Sequence, residues 1–164
     1  MEIVRKIGFG LFIVVMICVL SACGSSGESE KNTAEMHSEA EASKSTEQNK
    51  ITITAGDTVF TATLADNSSA DALKELLAEG PLTIDMSDYG NMEKVGPIGK
   101  NLPTNDEDIN TKAGDLILYQ GNSLVIYYDE NSWNFTRLGK IEGVTGEELL
   151  DAFGDGDVTV TFSL

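Results

Sequence analysis

Histidine occurs once in the 164 residues, at His37, and cysteine twice, at Cys18 and Cys23. Both cysteines precede residue 24, so the body of the chain holds neither a disulfide framework nor a Cys-type zinc site. A single histidine removes most metalloenzyme, triad and His general-base mechanisms. No metal and no cofactor is expected. Positive charge is also scarce: 11 Lys+Arg stand against 27 Asp+Glu, a formal net of −16. Phosphate neutralisation needs clustered Lys and Arg, so nucleic acid is excluded as a partner class. An anionic membrane surface would not hold this chain by charge either. The length allows one domain of ordinary size with appendages.

The first segment reads as targeting. Arg5 and Lys6 precede an uncharged, mostly apolar run from Ile7 to Leu20. That run is short for a membrane span and right for a signal-peptide core. It ends in Leu20-Ser21-Ala22-Cys23, followed by Gly24. This resembles the bacterial lipobox, which implies cleavage after residue 22 and lipidation of the Cys23 thiol by palmitate-type acyl chains. The alternatives are a simple N-terminal anchor or an ordinary cleaved signal. Two or three acyl chains would anchor the protein stably, since each buried CH₂ adds about 0.8 kcal/mol. The expected place is the extracytoplasmic face of the cell membrane, with the lipid as the membrane contact.

Residues 24–49 carry six Ser and six Glu, with no aromatic and no β-branched aliphatic residue. Such a stretch cannot bury enough apolar surface to offset its ordering entropy, and it reads as a disordered tether. His37 lies here beside Glu35 and Glu39. One imidazole with scattered carboxylates is a poor metal set, so a tether residue is the plainer reading.

The folded domain is expected over residues 50–164, with 7 positive and 20 negative side chains. Its pattern is mostly strand. Ile51 and Ile53 alternate with Thr52 and Thr54, Gly56-Asp57 turns, and Phe60, Ala62 and Leu64 share a face: a hairpin. Ser68 or Ser69 can cap a helix through about Glu79, with Leu73, Leu76 and Leu77 at helical spacing, and Gly80-Pro81 stops it. Residues 82–86 alternate again. Residues 87–114 read as mainly loop around a short strand near Val95. Asp115–Tyr119 and Ser123–Tyr128, joined by Gln120-Gly121-Asn122, form the clearest hairpin. Their near-continuous apolarity predicts central strands covered on both faces. Residues 133–138 give another strand. Thr145 with Glu148 makes a capping box for a helix over residues 146–153. Val158, Val160, Phe162 and Leu164 alternate as a closing strand. The fold class is mainly β: a closed β-barrel of about eight strands with two short helices. A monomer is expected.

Several stretches now carry a resemblance. Gly99-Lys100-Asn101-Leu102-Pro103, Gly114 to Tyr119, Gly121 to Tyr128 and Trp133 to Gly139 resemble the bacterial cyclophilin-like domain family, over nearly all of residues 50–164. The resemblance implies a cyclophilin-like barrel, in a family with many secreted or lipid-anchored members. True prolyl isomerases of the cyclophilin family combine an arginine in a Phe-His-Arg context, a glutamine, an apolar proline pocket and a His or Trp at its rim, whereas the resemblance to the bacterial cyclophilin-like domain family implies no established activity. The arginine polarises the prolyl nitrogen and weakens the amide resonance that slows rotation. No Phe-His-Arg stretch exists here. Arg137 is the only arginine after the signal peptide, in a Thr136-Arg137-Leu138 context, and Gln120 lies at a hairpin turn. No catalytic residue is carried over.

Other chemistry is no better supported. Gly121-Asn122-Ser123-Leu124-Val125 lacks the second glycine of a nucleophile elbow and any His partner in the domain. Gly154-Asp155-Gly156-Asp157 is a turn, and Asn105-Asp106-Glu107-Asp108 misses calcium-loop spacing and reads as a solvated acidic loop. What remains is a recognition surface. Tyr119, Tyr127, Tyr128, Trp133 and Phe135 cluster around two consecutive hairpins, with Tyr127 and Tyr128 on opposite faces. Tyr and Trp bury area at low entropy cost while keeping a polar tip. Arg137, two residues from Phe135, shares its face. It could clamp a ligand carboxylate, or pair with a carboxylate of the domain while the aromatics fill the core. The sequence thus leads to non-catalytic binding of a peptide or small ligand. The alternatives are a divergent peptidyl-prolyl isomerase and an accessory module for a neighbouring redox or transport protein.

Overall fold

A computed structural model describes residues 49–164; Cys23, His37 and the tether up to residue 48 lie outside the described residues. Nine strands and two helices follow in order: β1 (Lys50–Ala55), β2 (Thr58–Leu64), α1 (Ser68–Ala78), β3 (Leu82–Tyr89), β4 (Glu93–Pro97), β5 (Glu107–Asn110), β6 (Asp115–Tyr119), β7 (Ser123–Tyr127), β8 (Ser132–Ile141), α2 (Gly146–Phe153) and β9 (Val158–Ser163). The sheet runs β2-β1-β9-β3-β4-β7-β6-β8, every pair antiparallel, and β8 pairs back onto β2. The result is a closed eight-strand barrel with two helices, as the strand pattern leads one to expect. β5 is an additional strand that pairs only with the first residues of β8, Ser132–Phe135.

Alternation fills the interior. Ile51 and Ile53 from β1, Ile84 and Met86 from β3, Leu116 and Leu118 from β6, Leu124 and Ile126 from β7, and Val160 and Phe162 from β9 all point inward and are buried. Each such aliphatic or aromatic side chain contributes roughly 1.5–3 kcal/mol on leaving water. The helices close the two ends. α1 follows the C-terminal end of β2, and α2 follows the C-terminal end of β8. Those strands pair antiparallel, Ala62 with Ile141 and Leu64 with Gly139, so the helices lie at opposite ends. α1 inserts Ala70, Leu73 and Leu77 into the core, and α2 inserts Leu149 and Phe153.

Three local expectations change. The N-cap of α1 is Asn67, not Ser68 or Ser69: its side-chain oxygen accepts from the backbone N–H of Ser69 (3.1 Å) and Ala70 (2.9 Å). Asn67 also donates to the Arg137 carbonyl at 2.8 Å, so one amide caps the helix and fastens it to β8. Residues 87–114 hold more strand than expected, with β3 running to Tyr89, β4 complete and β5 inside the acidic run. Strand β8 is longer than its apolar centre, running from Ser132 to Ile141. The capping box of α2 forms as read, Thr145 accepting from the Glu148 N–H and Glu148 from the Thr145 N–H.

Strands β6 and β7 are covered on both faces. Their inward residues belong to the barrel core. Their outward residues Ile117, Val125 and Tyr127 form a second apolar cluster with Ile109 of β5 and Phe135 of β8. This outer cluster positions the site described next.

Candidate functional site

Register assembles the site from residues far apart in the chain. Tyr89 of β3 faces Glu93 of β4, and Glu93 faces Tyr127 of β7, making one cross-strand row on the outside of the barrel. The next row places Val95, Val125 and Ile117 side by side. Tyr119, at the end of β6, meets Phe135 of β8 edge to face at 6.3 Å, and Phe135 meets Tyr127 at 5.8 Å. Strand alternation sends all of these outward, because successive side chains point to opposite faces of a sheet.

Together they line a groove of about 300 Å³. Val95, Val125, Tyr127 and Phe135 form its floor, with Tyr89, Tyr119 and Trp133 as walls and Glu93 and Asn131 as polar groups. Val125, Tyr127 and Phe135 are buried and Val95 half-buried, whereas Trp133 and Tyr89 are 66% and 67% exposed at the rim. Exposed large aromatics beside a buried aromatic floor are the composition of a binding patch rather than of a finished core. On its far side Trp133 borders a second depression, shared with β5 residues Asp108, Ile109 and Asn110.

The polar groups are few and constrained. Asn131 is set by its backbone: its N–H donates to the Thr111 hydroxyl at 2.8 Å, and its carbonyl accepts the Thr111 N–H at 2.8 Å. Its side-chain amide donates to the Tyr127 hydroxyl at 3.2 Å. Glu93 is buried. Burial raises its carboxyl above the ordinary range; a hydrogen bond from Tyr127 offsets part of the rise, and the charge of Asp88 adds to it. Burial, and then the bond to Glu93, also push the Tyr127 phenol upward, so Tyr127 stays a neutral donor.

Of the residues singled out from sequence, Tyr119, Tyr127, Trp133 and Phe135 meet in this groove. Tyr128 points the other way and belongs to the barrel core, its hydroxyl donating to Asp88 at 2.6 Å. Arg137 does not line the groove. Its Nη1 lies 2.9 Å from Oδ1 of the buried Asp115, which also has Lys140 at 3.7 Å. The other Asp115 oxygen accepts the Lys112 N–H at 3.0 Å. Gln120 sits in the β6–β7 turn with φ of 50°, followed by Gly121 at 74°. Two successive left-handed residues match the twist of a tight hairpin.

Tyr89, Glu93 and Asn131 belong to the site but lie in segments that read as loop or turn. The only local signal for them was the residue types themselves, an aromatic and a carboxylate flanking Gly90. Strand pairing supplies the rest.

A family model described as the Cyclophilin-like family matches residues 53–163. Among curated proteins, none matches the chain.

Proposed function

The chain belongs to the cyclophilin-like family, and on that premise we propose that it is a lipid-anchored extracytoplasmic protein whose barrel binds a peptide or small ligand without catalysis. The observation that carries the reading is the outer groove, with its buried aromatic floor and exposed Trp133 rim. A concave site lined by aromatic and aliphatic side chains with a few fixed polar groups is what ligand recognition requires.

Catalysis of prolyl rotation requires more: a donor aimed at the prolyl nitrogen in the transition state. The groove's one charged lining residue is a carboxylate, Glu93. The guanidinium of Arg137 is engaged by Asp115 outside it. Uncatalysed X–Pro rotation takes tens to hundreds of seconds, so modest catalysis is easy to detect. We expect no acceleration of a proline-containing tetrapeptide by micromolar full-length protein. We also expect hits from a fragment mixture, read by ligand-observed NMR, that vanish in Trp133→Ala. Clear isomerisation would promote the divergent isomerase. Hits that survive Trp133→Ala would move binding away from the groove.

The anchor is proposed from Leu20-Ser21-Ala22-Cys23. Cys23→Ala is expected to release the protein from membranes or to leave the precursor unprocessed, and the native N-terminus to carry acyl mass on Cys23. An unmodified Cys23, or cleavage elsewhere, in the mass spectrum defeats this proposal.

A further inference from the structure

We propose that the outer groove takes a small organic cation, a quaternary or fully alkylated ammonium, seated against its aromatic rings with Glu93 as counter-charge. The inference rests on the groove being the binding site.

Three observations converge on this chemistry. First, five of the groove's lining residues are aromatic: Tyr89, Tyr119, Tyr127, Trp133 and Phe135. An aromatic face carries negative electrostatic potential, and several faces around one space favour a cation over a neutral group of equal shape. The tilted and edge-on packing of Phe135 with its two tyrosines keeps these rings from stacking flat on one another.

Second, Glu93 lacks a counter-ion. Among the described residues, no lysine or arginine makes an ion pair with it. Lys94, its chain neighbour, points to the opposite face of β4 and is taken by Asp88 inside the barrel. A buried carboxylate with a hydrogen bond but no counter-ion is still costly, and a cation in the groove relieves that cost. The direction of the Glu93 shift, upward through burial and the charge of Asp88, agrees. The wider field points the same way, since the domain carries 7 positive against 20 negative side chains. Such a surface enriches cations and repels anions.

Third, the groove has a single charged acceptor in a mostly aromatic and aliphatic lining. A primary ammonium has three donors to satisfy and is strongly hydrated. Glu93 is the one carboxylate here and Asn131 the one amide, its NH₂ given to Tyr127; the rest of the lining is five aromatic side chains and the methyl-bearing Val95 and Val125. An alkylated ammonium has no donors left to satisfy and presents methyl groups, so it matches this lining. The volume of about 300 Å³ fits a small molecule and sits at the low end of ligand pockets.

Trp133 is the only tryptophan in the chain, so its fluorescence reports directly on the groove. The test titrates the full chain, solubilised in non-ionic detergent, with choline and with 3,3-dimethyl-1-butanol, its neutral isostere. Choline is expected to change the Trp133 emission saturably, at least tenfold more tightly than the isostere. Glu93→Gln is expected to weaken choline at least tenfold and to abolish the preference for choline over the isostere. Equal binding of the two probes by the native protein overturns the inference and leaves the groove reading intact. The same holds if folded Glu93→Gln binds choline as the native protein does. Binding of a lysine-rich peptide with no response to choline overturns it too. No response to either probe also overturns the inference. The fragment screen with Trp133→Ala then decides separately whether the groove binds anything.

Discussion

Asp88→Asn is expected to destabilise the domain by about 3–5 kcal/mol, because it leaves a fully buried ammonium without its counter-charge. Lys94 lies inside the barrel at 0% exposure. Its Nζ is 2.8 Å from Asp88 Oδ2, donates to the Gly156 carbonyl at 2.8 Å, and stands 5.7 Å from the centre of the Tyr128 ring. The Tyr128 hydroxyl donates to the same Asp88 oxygen. Asparagine keeps the shape and removes the charge, so the desolvated cation retains only neutral acceptors. The loss is a large share of the roughly 5–15 kcal/mol that holds a typical domain together. Adding Lys94→Met to Asp88→Asn should recover part of it, since methionine fills a similar volume without leaving an unpaired charge inside. Urea unfolding of the three proteins at pH 7 measures this. A loss under about 1 kcal/mol would mean that Gly156 and the Tyr128 ring suffice for Lys94.

The pH dependence follows from the same group. Burial alone raises the Asp88 carboxyl, but hydrogen bonds from Lys94 and Tyr128, with the charge of Lys94, outweigh it and hold it below its ordinary value of 3.8. A carboxyl lowered by folding contributes stability that is present above its unfolded value and is lost as pH falls through its folded value. The gap between native protein and Asp88→Asn is therefore widest near neutrality and narrows below pH 4. Burial, then the bond to Asp88, push the Tyr128 phenol upward. Its contribution is present below its unfolded value near 10 and is lost only as pH rises through the higher folded value.

Gly139→Ala is expected to cost about 3 kcal/mol, at the upper end of overpacking penalties, by straining the barrel's seam. Only three residue pairs close the ring between β2 and β8, and Gly139 opposite Leu64 is one of them. A Cβ at Gly139 would lie 2.5 Å from the Thr63 carbonyl oxygen and 3.1 Å from the Leu64 Cα. Both are backbone atoms in a paired strand, so neither can swing aside as a side chain would. On its other edge Gly139 is held by Leu116 of β6, which blocks a compensating shift. The local signature is faster hydrogen exchange at the Ala65 amide, which donates to the Leu138 carbonyl at 2.9 Å beside the seam. It should precede exchange in the β6–β7 hairpin. A stable Gly139→Ala variant with a protected Ala65 amide would show that the seam has slack.

What the sequence determined by itself was local. Alternation named β1, β2, the first part of β3 and β9, because a strand with one buried face repeats every two residues. Unbroken apolarity at Leu116–Leu118 and Leu124–Tyr127 marked strands covered on both faces, which the inner and outer clusters bear out. Thr145 and Glu148 announced α2, since both halves of a capping box lie within one turn. Alternation also set Tyr127 and Tyr128 on opposite faces; it could not say which face was groove and which was core.

Tertiary structure decided that. Tyr127 joins the groove and Tyr128 the barrel interior because β4 brings Glu93 against the first and β3 brings Asp88 to the second. β5 escaped notice because its acidic residues face solvent and only Ile109 is buried, so no period is visible in four residues. Tyr89 and Glu93 read as loop residues until pairing with β4 and β7 aligned them with Tyr127. Arg137 and Phe135 were rightly placed near one another. Yet Asp115, 22 residues earlier in the chain, draws the guanidinium away from the groove that Phe135 lines. Periodicity records how each segment meets the core as an average apolar surface, whereas a site is made of particular side chains on different strands. Their neighbours are fixed by register, and register is a property of the closed sheet.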